Sequence, residues 1–118
     1  MFMTTYTIFV LYRALPAWLQ LTRSERNDIF TAEVAPILAN YQPNVSTRLF
    51  DAETFHARVS DVLLLTCTDL RDYYFLMESL RDTSLFGKPY IELVDVIVSV
   101  EDGFREFEAS QNSHETNK

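Results

Sequence analysis

Hydrophobic positions along the chain follow two different spacings, which predict four strands and two helices. Runs rich in β-branched and aromatic residues predict strands at residues 5–13, 45–51, 58–66 and 90–98. Apolar residues that recur three and four positions apart predict two amphipathic helices. The first of these stripes is formed by Ile29, Phe30, Val34, Ile37, Leu38 and Tyr41, and the second by Leu70, Tyr73, Tyr74, Met77 and Leu80.

Polar residues and a proline mark the bounds of the two predicted helices. Thr22 and Glu25 have the spacing of a capping box, in which each side chain accepts a hydrogen bond from the other residue's backbone N–H. Pro36 lies inside the first helix, where it removes one backbone hydrogen bond, so we expect a bend or two shorter helices. Thr68 or Asp69 is expected to cap the second helix.

The order strand, helix, strand, strand, helix, strand predicts an α+β, ferredoxin-like βαββαβ fold. Right-handed crossovers place both helices on the same face of one four-stranded antiparallel sheet. The length of 118 residues suits one domain, which we assign to residues 1–108. The polar residues 109–118 show no periodicity and predict a disordered tail.

The predicted strands do not alternate cleanly between polar and apolar residues, so both faces of the sheet are expected to be largely apolar. Counting every second residue as facing the same way, the first strand has Tyr6, Ile8, Val10 and Tyr12 on one face and Phe9 and Leu11 on the other. The third strand has Val62 and Leu64 opposed to Val59, Leu63 and Leu65. The fourth strand has Val94, Val96 and Val98 opposed to Ile91, Leu93 and Ile97. Two helices cover only one face, and monomers rarely expose a large contiguous apolar patch. We therefore expect a homodimer that packs through the uncovered sheet face. A ligand pocket on that face is the competing explanation.

Composition and charge argue against several functional classes. A net charge of -7 disfavours nucleic acid and anionic membrane surfaces as partners. The sequence has no apolar run long enough to span a bilayer, and its first residues lack the basic region of a signal peptide. The single cysteine, Cys67, cannot form an internal disulfide, so we expect a cytoplasmic protein with a buried thiol. Glycine-rich phosphate loops, nucleophile elbows and CxxC pairs are missing from the sequence.

Candidate catalytic residues are found in or near the strands: Arg48, His56, Asp61 and Glu92. A charged side chain inside a strand is costly to bury unless it is paired. We therefore expect Arg48 or Arg58 to pair with Asp61 or Glu92. Such a pair would either stabilise the sheet edge or dimer interface, or orient a polar ligand in a pocket.

His56 is the one histidine outside the tail and lies in a predicted loop near Asp51 and Glu53. A histidine near carboxylates can act as a general base or a metal ligand. The spacing lacks the paired pattern of known metal sites, so we expect an exposed loop histidine, no metal ion and no cofactor.

Four aromatic residues are candidate ligand-binding residues: Trp18, Tyr73, Tyr74 and Tyr90. The segment 16–19 predicts a short turn that lays Trp18 over the core. The four side chains would line an aromatic pocket between helix and sheet, or they would belong to the hydrophobic core, as aromatic residues at these spacings commonly do.

Several blocks of the sequence, taken together, resemble the darcynin family of small bacterial proteins. The blocks are the run Thr5–Leu11, the turn Pro16–Leu19, Pro36–Leu38, Phe50–Glu53, Ala57–Val62, Asp69–Leu70 with Tyr73–Tyr74, Glu78–Thr83 and Tyr90–Glu92. The resemblance extends from about residue 4 to residue 101 and implies no reaction, because the family has no assigned function. More loosely, the chain resembles the dimeric α/β-barrel superfamily, which includes cofactor-independent oxygenases, haem-handling proteins and small isomerases. That resemblance rests on the order of the elements, and fold does not fix function.

Two functional hypotheses follow from these observations. In the first, the chain is a dimeric domain of unassigned function that binds a small apolar or aromatic molecule or a protein partner. In the second, it is a cofactor-independent enzyme, of oxygenase or isomerase type, in which Arg48, His56, Asp61 and Glu92 act as acid–base or orienting groups. The second hypothesis requires these four side chains to converge on one cavity.

Overall fold

The structure is a computed structural model that describes residues 3–116, with the side chains of residues 3–112. Its elements in chain order are β1 (Tyr6–Ala14), α1 (Pro16–Leu19), α2 (Arg23–Ile29), a π-helical segment (Phe30–Val34), α3 (Ala35–Tyr41), β2 (Val45–Asp51), β3 (Asp61–Cys67), α4 (Leu70–Arg81), α5 (Ser84–Gly87), β4 (Ile91–Val100) and α6 (Gly103–Thr116).

The strands form one antiparallel sheet in the order β2-β3-β1-β4. In its central rows, Val10 of β1 lies between Leu63 of β3 and Val96 of β4, and Phe9 lies between Leu64 and Ile97. The α+β, ferredoxin-like architecture predicted from the order of the elements is confirmed.

The helix before β2 runs through Pro36 without breaking. The predicted capping box is present at its start: Thr22 Oγ1 accepts from the Glu25 N–H at 3.1 Å, and Glu25 Oε1 accepts from the Thr22 N–H at 2.8 Å. Proline has no N–H to donate to the carbonyl four residues earlier. Just upstream the helix widens into the π-helical segment, where the Ala35 N–H donates to the Phe30 carbonyl. The wider turn therefore accommodates the proline within one continuous helix.

The hydrophobic core lies between the helices and one face of the sheet, which we call the helix face. Its buried residues come from three strands and from the helices packed against them: Ile8, Val10, Val34, Val45, Leu63, Leu65, Cys67, Leu76, Met77 and Leu80. Burial raises the pKa of the Cys67 thiol, which agrees with the expected buried cysteine.

A β-bulge in β4 changes which residues share a face. Asp95 pairs with Leu11 and Leu93 pairs with Tyr12, so Val94 is an extra residue between the two pairs. Leu93 and Val96 therefore both lie on the helix face. Period-two counting places them on opposite faces, and that prediction is wrong because the bulge shifts the alternation by one residue.

Three other segments differ from the sequence-based expectation. Strand β3 begins at Asp61 rather than at residue 58. The backbone N–H groups of Arg58 and Val59 donate to the His56 Nδ1, so they do not pair with a neighbouring strand. Between α4 and β4, where no helix was predicted, the structure has the short helix α5, which Thr83 caps. Where we expected a disordered tail from residue 109, the structure has α6, which reaches Thr116. Residues 117 and 118 of that tail lie outside the described residues.

Within residues 3–116, none of the helices combines the length and the apolar character needed to cross a membrane.

Candidate ligand-binding site

A mainly apolar cavity of about 140 Å³ lies between the helix face of the sheet and the helices. Its lining residues come from almost every element around it: Val10, Tyr12, Ala14, Trp18, Phe30, Val34, Leu38, Leu49, Asp61, Leu63, Met77, Leu80, Leu85, Phe86, Ile91 and Leu93. Cavities of this kind, with apolar walls and a few convergent polar groups, are the usual form of a small-molecule site.

The short helix α1 places Trp18 at the wall of the cavity. Its indole packs edge-on against Tyr90, with 5.4 Å between the ring centroids. The Arg26 guanidinium donates to the carbonyls of Trp18 at 3.1 Å and Leu19 at 2.9 Å. These contacts fix α1 to α2 and to the start of β4, so the indole has a defined position.

The polar end of the cavity is formed by Tyr12 and Asp61, which pair across β1 and β3. The Ser60 hydroxyl donates to Asp61 Oδ2 at 2.7 Å. Asp51 lies opposite Asp61 on β2, and Glu53 follows in the loop. A carboxylate oxygen of Asp51, Glu53 and Asp61 can be chosen so that all three lie within 4.8 Å of one another. We call these three residues the carboxylate cluster.

The environment of this polar end raises the pKa values of Asp61 and Tyr12. Burial raises the pKa of Asp61, the hydrogen bond from Ser60 opposes that rise, and the negative charges of Glu53 and Asp51 add to it. Burial also raises the pKa of Tyr12, and the charges of Asp61 and Asp51 raise it further. Tyr12 therefore presents a neutral phenol to the cavity.

The four candidate catalytic residues do not meet. Asp61 lines the cavity, whereas Arg48 and Glu92 lie on the opposite face of the sheet. His56 is exposed in the loop between β2 and β3. The expected pairing of Arg48 or Arg58 with Asp61 or Glu92 was wrong: Glu92 pairs with Arg13 across β1 and β4, and Arg48 lies over the Phe50 ring, 5.0 Å from its centroid. The sheet itself separates these groups.

Of the four candidate ligand-binding aromatics, Trp18 lines the cavity. Tyr90 is buried behind Trp18, Tyr73 packs partly buried against the core, and Tyr74 is 56 % exposed beside Phe75. Tyr12, Phe30 and Phe86 also line the cavity but were not singled out from the sequence. The sequence signal available for Tyr12 was its position on the same predicted strand face as Val10.

The face of the sheet away from the core, which we call the open face, has an apolar centre and charged edges. The row across all four strands reads Arg48, Leu64, Phe9 and Ile97, and the next row reads Phe50, Val62, Leu11 and Asp95. Phe9 is 37 % exposed and Ile97 is 47 % exposed. Positive charge therefore lies at the β2 edge of these rows and negative charge at the β4 edge.

Residues 1–114 match the darcynin family, described as a domain of unknown function. The chain belongs to the darcynin family. It is 49 % identical over 74 residues to the darcynin of Chromobacterium violaceum, covering 63 % of this chain and 92 % of that protein. It is 36 % identical over 89 residues to darcynin 1 of Acinetobacter baumannii, covering 75 % of this chain and 98 % of that protein.

Solved structures share the fold of this darcynin at low sequence identity. A protein of Thermus thermophilus, described as a novel heme-binding protein, superposes with a TM-score of 0.75 at 18 % identity, covering 91 % of this chain and 45 % of that one. Chlorite dismutase from Candidatus Nitrospira defluvii, solved in complex with imidazole, gives 0.71 at 14 % identity, covering 81 % and 39 %. The chain thus spans less than half the length of either structure, and the likeness shows the fold alone.

Proposed function

We propose that this darcynin binds a small, mainly apolar molecule in the cavity between the sheet and the helices. The observation that carries the proposal is the cavity itself, with aliphatic and aromatic walls, Trp18 at its side and Tyr12 and Asp61 at one end. Polar groups gathered at one end of an apolar cavity orient a ligand, whereas the walls supply most of its binding free energy.

The volume limits the size of the ligand. The cavity of about 140 Å³ is similar to an engineered apolar cavity of about 150 Å³ that binds benzene. Drug-sized ligands occupy pockets of roughly 300–1,000 Å³. A ligand with one ring, or an aliphatic chain of similar volume, therefore suits this cavity.

Toluene binding, followed by NMR, tests this proposal. The chain has a single tryptophan, so the indole N–H of Trp18 gives one resolved signal at the cavity wall. We expect that signal to shift and saturate with toluene. The variant Ala14→Leu, which adds volume to a lining position, should weaken binding at least tenfold.

The control for that variant is Ala39→Leu, which makes the same change on the exposed side of α3, outside the cavity lining. It should bind toluene as the parent protein does. A Trp18 signal that does not respond to toluene, or an equal response in Ala14→Leu, would contradict the proposal.

The residues of the cavity do not fit a haem, the group named for the Thermus structure. Haem iron is held by histidine, a cysteine thiolate, tyrosine, or methionine beside histidine. The described lining residues include Tyr12 and Met77 but neither histidine nor cysteine. The raised pKa of Tyr12 opposes the phenolate form that ligates iron. A haem is also too large for this volume, so the proposed ligand is a smaller molecule.

We further propose that two copies of the chain associate through their open faces. Phe9, Leu64 and Ile97 form an apolar centre that a second sheet would remove from water, and two-fold pairs are the commonest oligomers. A two-fold axis parallel to the strands lays the β2 edge of one sheet over the β4 edge of the other. Arg48 of one copy would then lie near Asp95 of the other.

Molar mass by light scattering tests the dimer. We expect twice the chain mass for the parent protein and the chain mass for Phe9→Asp, which puts a charge at the centre of the open face. The matched control is Phe55→Asp, because Phe55 is 89 % exposed in the loop between β2 and β3. A monomeric parent protein, or a Phe9→Asp variant that stays dimeric and folded by circular dichroism, would contradict this arrangement.

No observation favours the enzyme hypothesis, because Arg48, His56 and Glu92 lie away from the cavity that Asp61 lines. A cytoplasmic location remains part of the proposal and is supported by Cys67, a buried free thiol.

A further inference from the structure

The carboxylate cluster at the end of the cavity carries negative charge that the described chain does not balance. The ion pairs found among residues 3–112 are Arg13 with Glu92, Arg81 with Glu78, and Arg105 with Asp102. None of them includes Asp51, Glu53 or Asp61. The whole chain has a net charge of -7, so the surrounding potential adds to that of the cluster.

Like charges this close repel one another, and a nearby low-dielectric wall strengthens the repulsion. A cation placed among the three carboxylates would remove it. A neutral molecule would gain only a hydrogen bond there, and an anion would be repelled. Because Asp61 belongs both to the cluster and to the cavity lining, one ligand can place its apolar part against the walls and its charge against the cluster.

We propose that the ligand of this cavity is a small apolar amine, bound as its ammonium ion. The ring or aliphatic body lies among Trp18, Leu63 and the helix residues, and the ammonium group donates hydrogen bonds to Asp61 and its two neighbours. Tyr12, a neutral phenol at the same end, offers its oxygen as a further acceptor. This inference rests on the proposed function and adds the chemical class of the ligand.

A hydrated metal ion would interact with the carboxylates of the cluster but not with the apolar walls of the cavity. Hard cations such as Mg²⁺ keep several water molecules and gain nothing from aliphatic and aromatic walls. The apolar walls and the carboxylates adjoin at Asp61, and that adjacency distinguishes an organic cation from a metal ion as the occupant.

Three probes of matched shape separate this inference from the proposed function: benzylamine, benzyl alcohol and toluene. Aliphatic amines are protonated at neutral pH, as the lysine side chain is. We expect the Trp18 indole signal to report binding of benzylamine at least tenfold tighter than benzyl alcohol. The variant Asp61→Asn should reduce benzylamine affinity about tenfold, and this loss should be larger than any change in the affinity for toluene, which carries no charge.

Two further variants keep the test decisive. Glu53→Gln changes an exposed member of the cluster, so it tests the charge even where Asp61→Asn fails to fold. Glu108→Gln, on α6 and away from the cavity, removes one charge from the chain without touching the cluster and should bind benzylamine as the parent does.

The outcomes are distinct. Toluene that binds while benzylamine and benzyl alcohol bind equally would overturn the amine inference and leave the apolar cavity as the site. Benzylamine affinity that falls equally in Glu53→Gln and Glu108→Gln would also overturn it, because the effect would then be one of net charge. Mg²⁺ that displaces benzylamine at low concentration would assign the cluster to a metal instead. If none of the three probes binds, the proposed function itself fails.

Discussion

The two faces of the sheet carry similar residues but have opposite surroundings. On β3, Leu65 of the helix face has no exposed surface, whereas its neighbour Leu64 on the open face is only half-buried. Both are leucines in the centre of the same strand. Residue type thus shows that both faces avoid water, but only the topology of the helices shows which face the chain covers by itself.

The two faces also differ in how their charged groups are arranged. On the helix face, the carboxylates gather at one end of a cavity and make that end repel negative charge. On the open face, charges of opposite sign lie at opposite edges, with Arg48 on β2 and Asp95 on β4. The first arrangement suits a small cation, and the second suits a second copy of the same sheet.

The largest expected difference in stability between the two faces comes from replacing Leu65 and Leu64 by alanine in separate variants. Leu65→Ala should lower the free energy of unfolding by about 2–5 kcal/mol, since it leaves a cavity among fully buried side chains. Leu64→Ala should cost about 1 kcal/mol or less in the isolated chain. Urea unfolding at low protein concentration measures both. Equal losses would show that the open face is covered within one chain.

Removing the cap of α2 should have a smaller effect. Thr22→Ala deletes the acceptor for the Glu25 N–H and should cost about 1 kcal/mol, the usual value for such caps. Thr54→Ala, in the exposed loop between β2 and β3, is the matched control and should leave the melting temperature unchanged. An unaltered melting temperature in Thr22→Ala would mean that the cap is not formed.

The ion pair between Arg13 and Glu92 should contribute less to the free energy of unfolding than the cap of α2 does. Both side chains are partly exposed on the open face, and such pairs contribute about 0.2–1 kcal/mol. A double-mutant cycle with Arg13→Ala and Glu92→Ala measures the coupling energy. A coupling well above this range at low protein concentration would indicate that the pair is shielded from water in the single chain.

The smallest effect that we expect is the contribution of Asp61 to the pH dependence of stability. It is small because solvent screens a carboxyl that is only partly buried. Its pKa is raised in the folded state, so the folded protein holds this proton more tightly than the unfolded chain does. Stability therefore decreases as the pH rises from about 4, the usual aspartate pKa, through the raised folded pKa. Asp61→Asn should remove that part of the decrease in urea unfolding series. A steeper loss of stability with rising pH in Asp61→Asn than in the parent would contradict the assignment.

Much of the fold could be predicted from local patterns, because the strands and helices bury stripes of regular spacing. The capping box at Thr22 and the uncovered apolar face could also be predicted. The bulge at Val94 could not, since an extra residue leaves no mark in composition and only becomes visible as a shift in pairing. The π-helical turn before Pro36 was likewise hidden, because the same proline is compatible with a kink or a break.

The site was only partly predictable, for a related reason. Asp61 was singled out as a charge within an apolar strand, and Trp18 as an aromatic residue next to a turn. Whether a charged strand residue faces the cavity or the open side depends on register, which places Arg48 and Asp61 on opposite sides of one sheet. The carboxylate cluster depends on pairing between Asp51 and Asp61, which are ten positions apart along the chain.

The bulge also governs how β4 can vary in length among relatives. Deleting Val94 alone would join Leu93 directly to Asp95, and both would keep their present partners on β1, Tyr12 and Leu11. A deletion elsewhere in β4 would exchange the two faces for the rest of the strand, moving apolar side chains out of the cavity wall. In an alignment of darcynins, a one-residue gap within this strand is thus expected at position 94, because a deletion there preserves the pairing of β4 with β1.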